Sequence, residues 1–226
     1  MTFPPAILAH LRAPGTLTAE QVALRLAPVP AFIVINAQGQ AITANPTPEK
    51  SMPVVGVFLR QKAGQAFLEA LQKREPAGAG LKLKTVSLGE VYRNLRKPDQ
   101  RVSLAFIPDL EEVEQAKKLL QQQGKPGAPQ GVPLFMAELP GKGLLNVTQN
   151  GKPTVPLFFS LTDLMPLVER YNKQRPSGAP EAKIVLTSLE FILQNWRKTP
   201  DPALAQMQLV VNKAVMDEAK AQPGGS

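Results

Sequence analysis

Val29-Pro30-Ala31-Phe32 returns as Val132-Pro133-Leu134-Phe135, 103 positions later. Gly56-Val57-Phe58-Leu59 is answered by Pro156-Leu157-Phe158-Phe159 at a separation of 100, and Glu69, Lys73 and Pro76 by Glu169, Lys173 and Pro176. A third block, Lys82, Ser87, Leu88, Asn94, Arg96 and Lys97, recurs at 101 as Lys183, Ser188, Leu189, Asn195, Arg197 and Lys198. Over residues 29–35, 56–79 and 82–97 the copies share 15 identities in 47 positions, against roughly one match in fifteen for average composition. Solenoid units run about 20–50 residues, too short for this period. The chain therefore reads as α/β, a duplicated pseudo-twofold arrangement of two mixed-sheet half-domains with packed helices. Its expected divisions are an N-terminal tail and capping helix (1–28), a first half (29–122), a linker (123–131), a second half (132–221) and a tail (222–226).

Working outward from the repeat, Thr18-Ala19-Glu20-Gln21 fits a capping box for a short helix that Pro28 ends. The apolar run Ala31–Ile35 predicts a strand, the turn at Ala37–Gln40 a second one near Ala41–Thr43, and Val54–Leu59 a strand buried on both faces. Ala63, Ala66, Phe67, Ala70 and Leu71 have the spacing of an amphipathic helix. A strand (Leu81–Ser87), a helix (Leu88 to Leu95), a strand (Arg101–Ile107) and a helix carrying Leu110, Val113 and Leu120 complete the first half. Asp109, Glu111 and Glu112 crowd the start of that last helix, where acids suit the helix dipole. The second half repeats this order through strands Leu134–Ala137, Leu144–Thr148 and Val155–Phe159. It then has a helix capped at Ser160, a strand Lys183–Thr187, a helix with Leu189, Ile192, Leu193 and Trp196, a strand Met207–Val211 and a terminal helix.

The 226 residues are 43% hydrophobic and 19% charged, with no cysteine and 23 prolines. That composition belongs to a globular chain without disulfides or thiolate metal sites, and no apolar window is long enough to span a membrane. The net charge of +8 raises a nucleic-acid reading. The basic residues are dispersed, however, and Lys82, Lys84, Arg93, Arg96 and Lys97 lack the neighbouring aromatics that would stack bases. Met1 to Leu11 carries no basic-then-apolar leader, which leaves a cytosolic protein or one whose leader has been removed as the expectations.

No catalytic constellation emerges. His10 is the single histidine, so neither a histidine-based triad nor a multi-imidazole metal site can be assembled. The glycine-containing stretches Gly124–Gly131 and Gly141–Gly143 lack the strand–loop–helix spacing of a phosphate-binding loop. Glu69 and Glu169 are accounted for by i,i+4 pairing with Lys73 and Lys173. No enzyme activity, cofactor, catalytic residue or metal is expected. One residue breaks the pattern: Phe191 points away from the apolar face of its helix, where the first half has Glu90. It is either packed against another element or presented as an apolar docking residue.

The capped helix Leu17 to Leu26, the Val29–Phe32 strand, Val54–Leu59 with its helix, Val132–Phe135 and Val155–Leu161 together resemble a known family. It is the twenty-two-kilodalton component of the chloroplast inner-envelope protein translocon, with its cyanobacterial periplasmic relatives. The resemblance covers Leu17 to Val211. It implies a non-enzymatic, chaperone-like protein of a pseudo-twofold α/β fold with apolar grooves for extended clients. The implied location is the periplasm, with a role in outer-membrane biogenesis, or the plastid intermembrane space, with a role in protein translocation. The lack of a long transit segment favours a processed cyanobacterial protein.

The expected function is thus binding of unfolded or membrane-bound protein clients, with precursor proteins and membrane translocation machinery as partners. The client-binding candidates are Phe58, Phe67, Phe158, Phe159, Leu167 and Phe191. A scaffold docking a folded membrane partner is the alternative, and a nucleic-acid binder the more remote one.

Overall fold

The computed structural model describes residues 16–44, 52–74, 80–94, 102–125, 127–211 and 213–221. Helix α1 (Ala19–Leu26) comes first, capped as expected: Thr18 Oγ1 accepts from Gln21 N at 3.1 Å and Gln21 Oε1 from Thr18 N at 2.8 Å. The first repeat follows with β1 (Pro30–Ile35), β2 (Val54–Phe58), α2 (Gln61–Arg74), β3 (Lys82–Ser87), α3 (Leu88–Asn94), β4 (Ser103–Ile107) and α4 (Leu110–Gln122). The second comprises β5 (Pro133–Leu139), β6 (Gly143–Leu144), β7 (Val147–Gln149), β8 (Lys152–Phe158), α5 (Leu161–Gln174), β9 (Lys183–Ser188), α6 (Leu189–Lys198), α7 (Pro202–Gln206), β10 (Met207–Val210) and α8 (Lys213–Lys220).

The four-stranded first sheet runs β3-β1-β2-β4, and β9-β5-β8-β10 repeats that order in the second, with β6 beside β5 and β7 beside β8. Pairing senses match too. The central strands β1 and β5 are antiparallel to both neighbours, whereas β2–β4 and β8–β10 are parallel. The register also repeats: Pro30 lies opposite Ser87 and Pro133 opposite Ser188, while Phe32 lies opposite Phe58 and Phe135 opposite Phe158. The separations of 103, 100 and 101 read from the sequence are therefore the separations that preserve strand pairing.

Both faces of these strands are buried because successive side chains alternate. Ala31, Val55, Val57, Leu134, Val155 and Leu157 face one core that draws on both repeats and on α1, α3 and α6. On the other face, Phe32, Val34 and Phe58 lie under α2, and Phe135, Ala137 and Phe158 under α5. Gly64 lets α2 settle onto its strands, since a Cβ there would stand 2.7 Å from Leu83 Cδ1.

The last helix of each half crosses over. Ala116 of α4 is fully buried among Phe135, Leu164 and Val168 of the second repeat, and Ala219 of α8 is buried with Phe32, Val34 and Leu68 of the first. The two alanines are themselves 103 positions apart. A small side chain at each lets the visiting helix approach the foreign sheet closely.

Four local expectations change. Around Ala41–Thr43 the chain makes only single bridges, Ile35 to Ala41 and Ala44 to Val54, in place of a strand. The stretch 144–148 divides into β6 and β7. Ser160 sits at the N-cap of α5, but its side chain makes no capping bond; the Leu161 amide donates instead to Glu112 of α4 at 3.3 Å. Glu69 accepts from Gln65 Nε2 at 3.1 Å rather than pairing with Lys73. His10 and the 222–226 tail lie outside the described residues.

Candidate functional site

The six apolar candidates fall in separate places. Phe58 and Phe158 are 4% and 8% exposed and pack within the outer cores. Phe67 leans on Phe58, ring centroids 5.1 Å apart, and keeps 39% of its surface exposed on α2. Leu167 is half-buried on the second outer core. Phe159, one position after Phe158, turns to the opposite side and reaches the shared core. Phe191 is 55% exposed, so it lies on the surface rather than packed against another element.

Where the two halves meet, Val29, Pro30 and Leu59 face Val132, Pro133 and Phe159 across a void of about 40 Å³. That volume holds a water or two and no ligand of the size that binding sites ordinarily accept, about 300–1,000 Å³. Charged groups ring it: Arg60 reaches Glu218 at 3.0 Å and Asp109 at 3.6 Å. Burial holds the Glu112 carboxyl above the usual carboxylate range. Bonds from Ser160 and the Leu161 amide pull the other way, and the charges of Asp109 and Glu111 add to the rise. The junction joins the halves. Among the described residues no group of three or more His, Cys, Asp or Glu is placed to hold a metal ion.

A larger groove of about 650 Å³ lies between α3, α6 and β4. Tyr92 and Leu193, both nearly buried, form its floor, and half-buried Leu104 and Phe106 form the wall along β4, an edge strand of its sheet. Arg197 and Lys198 stand on the rim with Glu190. Phe191 is on the same helix, one turn before Gln194 and two before Lys198, both of which line the groove. The sequence reading singled out Phe191 and missed Leu104, Phe106 and Leu193. Periodicity marks such residues as apolar but does not reveal that an edge strand and a helix leave a channel between them. The signal in the sequence is the Gly89–Glu190 mismatch, next to the Glu90–Phe191 mismatch.

Helix α1 occupies the corresponding place on the other side. It packs on α3, α6 and β10, with Val22, Ala23 and Leu26 fully buried. Leu17 N donates to Trp196 O at 2.7 Å. The Arg25 guanidinium donates to the carbonyls of Met207 and Ala205, each at 2.6 Å, and lies 5.2 Å from the Trp196 ring centroid. Burial pulls the Arg25 pKa below its usual value; the two carbonyls replace the hydration it loses.

The model of the family described as Tic22-like matches residues 5–208 of this sequence. The chain belongs to the Tic22-like family. A solved structure described as "Anabaena Tic22 (protein transport)" superposes with a TM-score of 0.75 at 24% identity, covering 92% of this chain and 98% of that one. "Tic22 from Plasmodium falciparum" gives 0.65 at 17% identity, covering 87% of this chain and 94% of that one. At these identities the likeness establishes a shared fold. No curated protein sequence matches this chain. Among the described residues of this Tic22-like chain, no helix is long and apolar enough to cross a membrane.

Proposed function

We propose that this Tic22-like protein acts in protein translocation as a non-enzymatic, chaperone-like factor for unfolded or membrane-bound protein clients. A periplasmic location would bring precursor proteins and the membrane translocation machinery within its reach. The observation that carries the reading is the groove of about 650 Å³ beside α6, with apolar walls at Leu104 and Phe106, a basic rim, and exposed Phe191 close by. Family membership and the transport description of the Anabaena structure support it. An apolar, broadly accepting surface suits unfolded segments, and ordering such a segment costs conformational entropy, so binding is weak and promiscuous.

The test is light scattering of an unfolding client with and without the protein, with calorimetric titration of apolar peptides alongside. Suppressed aggregation and saturable peptide binding are expected. An unchanged scattering trace together with silent calorimetry sinks the reading.

A further inference from the structure

The two helices that cross between the halves are not held alike. Helix α4 has thirteen residues, an N-cap in Asp109 and two acids, Glu111 and Glu112, in its first turn, where carboxylates suit the helix dipole. It is tied into the second half at both ends. Glu112 accepts from the Leu161 amide at 3.3 Å, and Gln123, just past the last residue of α4, donates to the Ile184 carbonyl at 2.8 Å. Helix α8 fills the equivalent place on the first half with eight residues. It opens on Lys213, a cation at the positive end of the dipole, and has no acid in its first turn. A helix this short does not persist in water by itself, so α8 exists because it is docked.

Its dock is small. Ala219 is the buried residue of α8 and lies with Phe32 and Val34 of β1. The Lys213–Asp217 pair, at 2.6 Å, stays within the helix. Across the interface, Glu218 reaches Arg60 at 3.0 Å. That bond is incompletely served: Glu218 Oε2 and Arg60 Nε are both buried, and neither has a hydrogen-bond partner among the described residues. Buried polar atoms left without such partners oppose docking. Everything that favours α4 as a fixed element is thus weaker or reversed in α8.

We infer that α8 is a releasable strap. It undocks and unwinds as a unit while the rest of the fold stays intact, and the outer face of β1 then takes an amphipathic helical segment of a client polypeptide in its place. The client part of the inference rests on the client-binding reading above. A helix is the occupant this face is built for, since α8 lies on it and α4 lies on its counterpart over β5. The incoming segment carries a small residue where Ala219 approaches β1, and a carboxylate one position earlier for Arg60, as Glu218 does. The strap is therefore an autoinhibitory contact: it scales the apparent affinity for a client down to the fraction of molecules in which α8 is away.

Hydrogen exchange of the full chain, followed by mass spectrometry, reads the strap directly. The α8 amides should be protected at least about a hundredfold less than those of α4. Glu218→Arg, which sets two cations together, should lower the protection of α8 about tenfold further and leave α4 unchanged. Equal protection of the two helices in the wild type overturns the inference, and that comparison needs no variant to fold. A fluorescein-labelled peptide of residues 211–221, followed by anisotropy, reads the seat. Saturable binding is expected, at least about fivefold tighter to Glu218→Arg than to the wild type because the resident strap no longer competes. A peptide carrying Ala219→Leu should bind at least about tenfold more weakly. Binding no tighter to the variant chain, or indifference to that leucine, overturns the inference. A protected α8 in a chain that suppresses client aggregation refutes the strap and leaves the client reading standing. A strap that opens and takes the peptide in a chain without effect on aggregation removes the client reading; failure in every assay removes both.

Discussion

Gly89 lies so close to Ala23 that a Cβ placed on it would overlap the Ala23 carbonyl oxygen and stand 2.8 Å from Ala27 N. This contact is where α1 meets α3. No flexible side-chain end is involved, so neither partner can yield without moving a helix. Gly89→Ala should therefore destabilise the protein by about 2–3 kcal/mol, read as a lower urea midpoint. Trp196, the single tryptophan, lies against Arg25 of α1, accepts from Leu17 N just before that helix through its backbone carbonyl, and provides the fluorescence signal. An unchanged midpoint would show that α1 does not rest on Gly89.

Arg25 fastens the same helix to the opposite half. Lysine keeps the charge but cannot reproduce two divergent donors or lie flat over an indole ring. Arg25→Lys should cost roughly 2 kcal/mol and shift the Trp196 emission, with the far-ultraviolet circular dichroism retained. A variant with wild-type stability and emission would contradict this role.

Glu112 gives the junction a pH dependence of known sign. Its folded pKa is raised above the ordinary value of 4.5, chiefly by burial, so the folded state holds this proton more tightly than the unfolded chain. Its contribution to stability is full below 4.5 and is lost as pH rises through the folded value. Glu112→Gln keeps an acceptor for the Leu161 amide and cannot ionise. The variant should gain on the wild type as pH rises from 4 to 7 in denaturant titrations at about unit intervals. A constant difference across that range would rule out the ionisation as its source.

Phe58 and Phe191 should separate packing from binding. Phe58→Ala empties the outer core under α2 and should cost about 3–4 kcal/mol. Phe191→Ser, at an exposed position, should alter stability by no more than about 0.5 kcal/mol while reducing the suppression of client aggregation. Loss of function tracking only with Phe58, through unfolding, would remove Phe191 from the binding surface.

Several of these residues show how far the sequence could be read. Phe158 and Phe159 are adjacent and apolar, and only strand alternation assigns one to the outer core and the other to the junction. Phe191 was legible as an anomaly because the repeat set it against Glu90. Leu104 and Phe106 were not, because an apolar strand reads the same whether its edge is covered by a helix, as at β10, or has none of the described helices over it, as at β4. Glu112 looked like one more acid in the first turn of α4, yet its carboxylate serves the N-terminus of α5 from the other half of the chain.

The amino-acid sequence by itself determined the internal repeat and most of the strands and helices of each half, since these follow from local periodicity and from residues recurring at fixed separations. The tertiary structure alone decided that α4 and α8 exchange halves, that α1 fills one of two corresponding grooves, and that among the described residues no helix fills the other beside Phe191. An apolar face specifies that something must cover it. Which element does so depends on where the chain can reach and on where a Gly89 or a Glu190 admits or replaces a helix.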